Sequence, residues 1–142
     1  TLDRSSAASD VYKRQHPGIK VVARQTANFD RSKALDVTTN LMQAHSKATG
    51  IFAENDEMAI GAISALGSKA GQSAKVVGFD GTADGIKAVK AGTMGATIAQ
   101  QPALLGKTAV DQAADILAGK QVSKTTPIKV VLVTKDNAKD YE

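Results

Sequence analysis

The sequence predicts a mixed α/β protein built on a doubly wound, mostly parallel sheet. From residue 16 onward, short apolar segments rich in β-branched residues alternate with longer segments whose apolar residues recur at helical spacing. The connections between these segments are short. A strand–helix–strand repeat with short connections implies parallel strands joined by right-handed crossovers.

The first strand and helix of this repeat follow directly after residue 16. Residues 18–26, GIKVVARQT, are rich in β-branched side chains and predict a buried strand. Helical spacing then predicts a helix within residues 30–47, with Asp30 as its N-cap. Residues 50–55, GIFAEN, predict a second strand, and residues 57–69 a second helix.

The pattern continues through the middle of the chain. Residues 75–80, KVVGFD, predict the third strand. Thr82 can cap the short helix that follows, and Gly92 can end it in the left-handed conformation. Residues 94–100, MGATIAQ, predict the fourth strand.

The last part of the chain predicts a long helix and a fifth strand. Pro102 suits the first turn of the helix, where its missing N–H matters least, and Gly119 suits the end. The strand is predicted over residues 127–135, PIKVVLVTK. The inner face of the helix is predicted to carry Leu105, Ala109, Gln112 and Ile116.

The first fifteen residues, TLDRSSAASDVYKRQ, differ from the rest of the chain. They have no apolar period, no initiating Met and no apolar segment of the kind found in signal peptides. The stretch SSAASDVYKRQ resembles translated adaptor sequence found at the ends of some assembled environmental reads. We therefore predict that residues 1–15 are a disordered leader foreign to the fold, and that the natural protein began further upstream.

Composition excludes several classes of function. The 142 residues suffice for one domain, which could bury about two-thirds of its unfolded surface. The chain has no Cys, which excludes disulfides, thiolate metal sites and a cysteine nucleophile. No apolar run approaches the roughly 20 residues that a membrane-spanning helix needs. The net charge of +4 comes from scattered Lys and Arg residues, so we predict no nucleic-acid partner.

Polar and aromatic side chains stand where the predicted strands end. Ligands of open parallel sheets bind outside the carboxyl ends of the strands, where helix N-termini also point. The residues at these four ends are Phe29, Asn55, Asp80 and Gln100. Together they offer an aromatic face, two amides and a carboxylate, but no acid/base pair. We therefore predict a binding site for a polar ligand, with no catalytic residue and no cofactor.

Each of these four residues also has a purely structural interpretation. Asn55 could be only an N-cap, and Asp80 only a turn residue before Gly81. Phe29 could be core packing, and Gln100 could simply precede the turn at Pro102. We assign Asp56 and Glu57 to support of the helix N-terminus through its dipole and leave them out of the site.

Other chemical motifs fail on inspection. The GKT tripeptide at residues 106–108 resembles the end of a P-loop, but Gln101 stands where the first Gly belongs and the tripeptide falls in a predicted helix. The glycines of GFDGTADG lack dinucleotide-binding spacing. His16 and His45 have no acidic pair nearby in sequence, so we predict no metal site.

Three stretches carry a resemblance to a known family. FAENDEMAIGAISAL, KVVGFDGTADGIKAVKAG and MGATIAQQP resemble the carboxyl-terminal half of periplasmic sugar-binding proteins of the ribose-binding type, the receptors of ABC importers. The resemblance covers residues 16–135. It implies that the sugar is met by the aromatic residue of FDR, the Asn of ND, the Asp of GFDG and the Gln of IAQ. These are the four residues at the strand ends: Phe29, Asn55, Asp80 and Gln100.

The resemblance also implies a division of the chain and a set of partners. Residues 16–100 would form a carboxyl-terminal ligand-binding lobe that lacks its first strand–helix unit. Residues 101–127 would cross a hinge and dock a helix on a missing amino-terminal lobe, and residues 128–142 would form the last strand and tail. The implied ligand is a monosaccharide, the implied partner an ABC-importer permease, and the implied location the periplasm, with a signal peptide upstream.

Two other classes remain open on the sequence. The effector-binding domain of a sugar-responsive repressor of the LacI type has the same fold and a similar NDEMA stretch, with a DNA-binding head upstream. The stretches FDGTADGIKAVKAG and IAQQP favour the transport receptor. An enzyme on the same sheet is the other alternative, because the fold alone decides no function.

Overall fold

The structure, a computed structural model, describes residues 15–141, so the predicted leader lies outside the described residues apart from Gln15. It contains helices and strands in alternation, with short 3-10 turns at Gly67–Lys69 and Ala138–Asp140. In chain order the elements are α1 (Arg31–Ala44), β1 (Gly50–Phe52), α2 (Asp56–Leu66), β2 (Lys75–Asp80), α3 (Ala83–Ala91), β3 (Ala96–Ala99), α4 (Pro102–Leu117) and β4 (Val131–Val133).

The four strands form one open sheet in the order β1-β2-β3-β4. The first three are parallel, with Ile51 beside Val76 and Val77 beside Ala96. Because the strand order advances in one direction, right-handed crossovers place α2 and α3 on the same face of the sheet. The predicted mixed α/β fold with a mostly parallel sheet is confirmed.

The helices begin where side-chain caps are available. Three capping side chains each accept a hydrogen bond from the backbone N–H three residues on: Asp30 from Lys33, Asn55 from Met58 and Thr82 from Gly85. α3 ends at Gly92, whose φ of 77° is left-handed. The predicted caps at Asp30 and Thr82 and the predicted stop at Gly92 are therefore confirmed.

The core lies between the sheet and the helices α2 and α3. Its largest fully buried side chains include Val76, Val89, Met94 and Val133, each at most 1% exposed. α1 is added as an outer helix against α2, and the contact is close because Gly61 carries no side chain. A Cβ at that position would lie 2.2 Å from the carbonyl oxygen of Arg31.

The predicted first strand, residues 18–26, is wrong. The segment forms no strand, and its apolar side chains Ile19, Val21 and Val22 are 42–48% exposed. β-propensity describes how well a residue fits a paired, half-buried surface. Within residues 15–141 no strand pairs with this segment, so its β-branched residues have no sheet to join.

The predicted fifth strand, residues 127–135, is also corrected. Only Val131–Val133 pair, and they run antiparallel to β3, with Val131 beside Ala99. The crossover rule that predicted a parallel strand assumes a helix that packs back on the sheet. α4 has no buried residue and does not do so, and the chain returns along β3 in the opposite direction.

Candidate functional site

The carboxyl ends of β1, β2 and β3 lie side by side at one edge of the sheet. Asn55 follows β1, Asp80 is the last residue of β2, and Gln100 follows β3. The register of β2 and β3 is fixed by the pair Asp80–Ala99, and the backbone N–H of Gln100 donates to the carbonyl oxygen of Asp80 at 3.1 Å. This is the edge at which the sequence predicted a ligand.

Two of the four predicted residues are brought into direct contact. The side-chain amide of Gln100 donates from Nε2 to Oδ1 of Asp80 at 2.6 Å. Both residues line a groove of about 560 Å³. The groove has a mixed lining: polar residues include Asp80, Thr82 and Gln100, and apolar residues include Leu105, Ile128 and Val130.

The backbone at Asp80 is strained. Its φ of 116° lies in a region that side-chain-bearing residues rarely adopt, and Gly81 follows with φ of 74°. A Cβ on Gly81 would lie 2.5 Å from the Cβ of Ala99, so the turn presses against β3. The turn between β2 and α3 is therefore held close to the strand that carries Gln100.

Asn55 is buried and already serves as a cap. It is 9% exposed, and its Oδ1 accepts from the backbone N–H of Met58 at 2.9 Å. The interpretation of Asn55 as an N-cap is thus confirmed: its side-chain oxygen caps α2. A ligand at this edge would meet the NH₂ group of the amide instead.

Phe29 lies apart from the groove lining. Its side chain is 65% exposed, so the interpretation as core packing is wrong. Asn28 and Phe29 both have positive φ, 54° and 58°, in the turn just before the Asp30 cap of α1. Because residues 18–26 form no strand, Phe29 follows an unpaired segment rather than a strand end.

Charged side chains link the amino-terminal turns of three helices. Arg31 of α1 donates to both carboxylate oxygens of Glu57 at 2.8 and 2.9 Å and to Asp84 at 3.0 Å. The hydrogen bond to Glu57, and then the one to Asp84, raise the pKa of Arg31 above its ordinary value. All three side chains are at least 43% exposed, so water screens this cluster.

The structure gives Asp56 a larger role than the sequence analysis did. Its side chain is fully buried and accepts three hydrogen bonds. These come from Thr82 N at 2.8 Å, Thr82 Oγ1 at 3.1 Å and Thr97 Oγ1 at 2.7 Å. Helical spacing contained a signal for this burial, because Asp56 lies three residues before the buried Ala59 and therefore shares its face of α2. The dipole assignment overlooked that signal.

Residues 15–141 contain neither a metal-binding cluster nor a membrane-spanning helix. In that range no three His, Cys, Asp or Glu side chains are grouped so that they could hold a metal ion. Among the helices there, none combines the length and the apolar character required to cross a membrane. The groove at Asp80 lies at the sheet edge where ligands of open parallel sheets bind, and for this reason it is the candidate functional site of the described residues.

The fold is that of a known class of binding protein. Residues 1–121 match the model of the periplasmic binding protein domain, and the chain belongs to that family. It is 46% identical over 117 residues to the ribose import binding protein of Bacillus subtilis (strain 168), covering 82% of this chain. It is 48% identical over 115 residues to the ribose import binding protein of Haemophilus influenzae (strain ATCC 51907 / DSM 11121 / KW20 / Rd), covering 81% of this chain.

A solved structure gives the same relationship in three dimensions. The periplasmic solute binding protein of an ABC transporter from Actinobacillus succinogenes 130z, with bound D-allose, superimposes with a TM-score of 0.88 at 36% identity, covering 97% of this chain. The chain spans 49% of that structure, 38% of the Bacillus relative and 39% of the Haemophilus relative. It therefore corresponds to less than half of each protein.

Proposed function

We propose that this chain is the carboxyl-terminal half of a monosaccharide-binding receptor that delivers its sugar to an ABC importer. The observation that carries the proposal is the hydrogen-bonded pair of Asp80 and Gln100 at the rim of the groove. The pair places a carboxylate and an amide side by side, at the sheet edge where ligands of such folds bind.

The chemistry of these groups suits a sugar. A carboxylate can accept from two neighbouring hydroxyls, and such charge-assisted bonds are about twice as strong as neutral ones. Gln100 can both donate and accept, as a hydroxyl does, and the NH₂ group of Asn55 can donate. Phe29 lies outside the groove lining, so in this proposal its exposed ring covers the apolar C–H face of the sugar only after it moves toward the groove.

Ribose is the first choice among sugars. Two similar proteins are ribose import binding proteins, while the solved structure holds D-allose, so the choice rests on sequence similarity. An epimer that leaves Asp80 or Gln100 unpaired would lose about 1–3 kcal/mol of binding free energy. The receptor is not an enzyme in this proposal, because the groove lining contains no acid/base pair.

The proposal needs a second lobe to complete the site. The face of α4 predicted to dock on an amino-terminal lobe is exposed: Leu105 is 56% and Ile116 is 58% exposed, and Ala109 is exposed too. We propose that this helix docks on the missing lobe, that the two lobes close on the sugar, and that the closed form is read by the permease outside the cytoplasm. Half of such a site leaves its ligand wet on one face.

The test is a titration of the 142-residue chain with D-ribose. By calorimetry we expect no micromolar binding; by NMR of the ¹⁵N-labelled chain we expect weak, millimolar shifts confined to the resonances of Asp80, Gln100 and their neighbours. Asp80→Asn should abolish these shifts. The matched control is Asp111→Asn on the exposed surface of α4, which should leave them unchanged.

Four outcomes would contradict the proposal or one part of it. Shifts at resonances away from the groove would show that the sugar binds elsewhere. Shifts at the groove that persist in Asp80→Asn would show that the Asp80 carboxylate does not contact the sugar. The absence of any shift with ribose, allose or another monosaccharide would refute the proposal that the ligand is a sugar. Micromolar affinity would refute the second-lobe requirement alone.

A further inference from the structure

The conformation of Asp80 needs an explanation, because a strained residue persists only where its surroundings determine it. Its φ of 116° is unfavourable for a residue with a side chain, yet it is what turns the chain at the rim of the groove. The two residues that follow, Gly81 and Thr82, show how the turn is fixed.

Each of these two residues is anchored through its backbone N–H. Gly81 donates to Thr97 Oγ1 at 3.2 Å, and Thr82 donates to Asp56 Oδ2 at 2.8 Å. The Thr97 hydroxyl in turn donates to Asp56 Oδ1 at 2.7 Å, so it links Gly81 to Asp56. A single buried carboxylate on α2 therefore holds the turn between β2 and α3 directly and through β3.

The space for this carboxylate is made by two glycines. A Cβ on Gly78 would lie 2.3 Å from Asp56 Oδ1, and a Cβ on Gly85 would lie 2.2 Å from Oδ2. Both Asp56 and Thr97 are 0% exposed, and among the described residues every buried side-chain polar atom has a hydrogen-bond partner. Both glycines are therefore needed to leave room for the Asp56 carboxylate, whose two oxygens both accept hydrogen bonds.

Burial of a charge is an expensive way to gain stability, since apolar residues of similar size often do as well or better. A charge held by fixed dipoles does give directional hydrogen bonds, stronger than neutral ones. Here one of those bonds comes from the backbone amide of Thr82. Another comes from the Thr97 hydroxyl, which itself accepts from the backbone amide of Gly81.

We propose that Asp56 and Thr97 are positioning residues for ligand binding: they hold Asp80 in its strained conformation, so that its carboxylate faces the groove beside Gln100. The role in ligand binding rests on the proposed function, but the experiment that tests the anchoring of Asp80 does not. The test concerns the conformation of Asp80 in the absence of any sugar.

The experiment compares Thr97→Val with the wild type by NMR. Val keeps the branched shape of Thr in the strand but removes the hydroxyl. We expect amide hydrogen exchange of Gly81 to become about tenfold faster, as loss of one hydrogen bond implies. The three-bond coupling that reports φ of Asp80 and the side-chain amide resonance of Gln100 should shift as well.

Two further variants separate positioning from general destabilisation. Thr97→Ser restores the hydroxyl and should restore the coupling of Asp80 and the resonance of Gln100. Thr93→Val removes a different half-buried hydroxyl, which bonds to the carbonyl of Ala88, and should change neither. An unchanged coupling and resonance in Thr97→Val would overturn the inference.

A measurement on the wild type guards against a variant that fails to fold. The amides of Gly81 and Thr82 should exchange at least about 100-fold slower than free amides, and exchange at the free rate would overturn the inference. These readouts need no ligand. Failure of sugar binding would therefore refute the proposed function but not the anchoring of Asp80. Sugar binding by a protein in which the Gly81 and Thr82 amides exchange freely would refute the anchoring but not the proposed function.

Discussion

At the scale of single residues, two adjacent carboxylates show how position decides the role of a side chain. Asp56 and Glu57 stand together in the first turn of α2. Asp56 is fully buried and accepts three hydrogen bonds, whereas the Glu57 side chain is 44% exposed and pairs with Arg31 in water. The same chemical group is thus an interior anchor at one position and a screened surface partner at the next.

This contrast gives a stability prediction. Asp56→Asn places an NH₂ group where one carboxylate oxygen now accepts, so a buried donor faces another donor or loses its partner. We expect the free energy of unfolding to fall by about 1–3 kcal/mol, measured by urea denaturation. Glu57→Gln, the matched change one residue on, should produce a much smaller loss. Equal losses for the two variants would contradict the anchoring role of Asp56.

The sequence predicted part of the candidate site at this scale. Asp80 and Gln100 were found because consecutive parallel strands end at the same edge, and that rule needs no side-chain detail. The hydrogen bonds of Asp56 could not be predicted, because its partners Thr82 and Thr97 lie 26 and 41 residues away in sequence. The left-handed conformation of Asp80 likewise depends on contacts that no local pattern encodes.

At the scale of elements, the close approach of α1 to α2 depends on Gly61. Gly61→Ala would add a Cβ 2.2 Å from the carbonyl oxygen of Arg31 and 2.8 Å from the Cβ of Ala34. Backbone cannot yield as a flexible side chain can, so the helices must separate.

We therefore expect Gly61→Ala to destabilise the protein by about 1–3 kcal/mol, as overpacking does, although Ala is the better helix former. The control is Gly106→Ala within α4, where a Cβ meets nothing within 4 Å. That change should raise helix stability by about 0.5–1 kcal/mol. Thermal melts followed by circular dichroism measure both, and a stabilised Gly61→Ala would show that the two helices are not in close contact.

A second prediction at this scale compares buried and exposed apolar residues. Met94 is 1% exposed in the core, whereas Leu105 on α4 is 56% exposed. Met94→Ala should cost about 2–5 kcal/mol of unfolding free energy, because it leaves a cavity. Leu105→Ala should stay within about 0.5 kcal/mol of the wild type. A large loss in Leu105→Ala by urea denaturation would mean that α4 packs on the sheet.

The bounds of a strand were predicted best where the strand pairs with a neighbouring strand on each side. The predicted strand at residues 75–80 is observed as β2, which is flanked by β1 and β3. The predicted strands at residues 18–26 and 127–135 failed or shrank to three residues, because composition reports the preference for a strand but not the presence of a partner.

At the scale of the whole molecule, apolar surface is distributed unevenly. α2 and α3 cover one face of the sheet, while α4 stands away from it with Val110 69% exposed and Leu117 89% exposed. Exposed apolar surface of this kind binds hydrophobic dyes.

We expect the chain to enhance the fluorescence of the dye ANS while its near-ultraviolet circular dichroism remains that of a folded protein. The double variant Val110→Gln and Leu117→Gln, which leaves the groove untouched, should reduce the enhancement without lowering the melting temperature. Unaltered dye fluorescence would show that α4 is covered in solution.

If the groove binds a sugar as proposed, the Gln100 amide competes with that sugar for the carboxylate of Asp80, because the two side chains are hydrogen-bonded to each other. A molecule with a single hydroxyl would replace the hydrogen bond from the Gln100 amide with one from its own hydroxyl, so the net gain in binding free energy would be small. A vicinal diol can engage both carboxylate oxygens at once and profits where the simple alcohol does not. In the proposed receptor, discrimination between sugars and monohydric solutes would thus begin at this hydrogen-bonded pair, before the proposed closure of the two lobes.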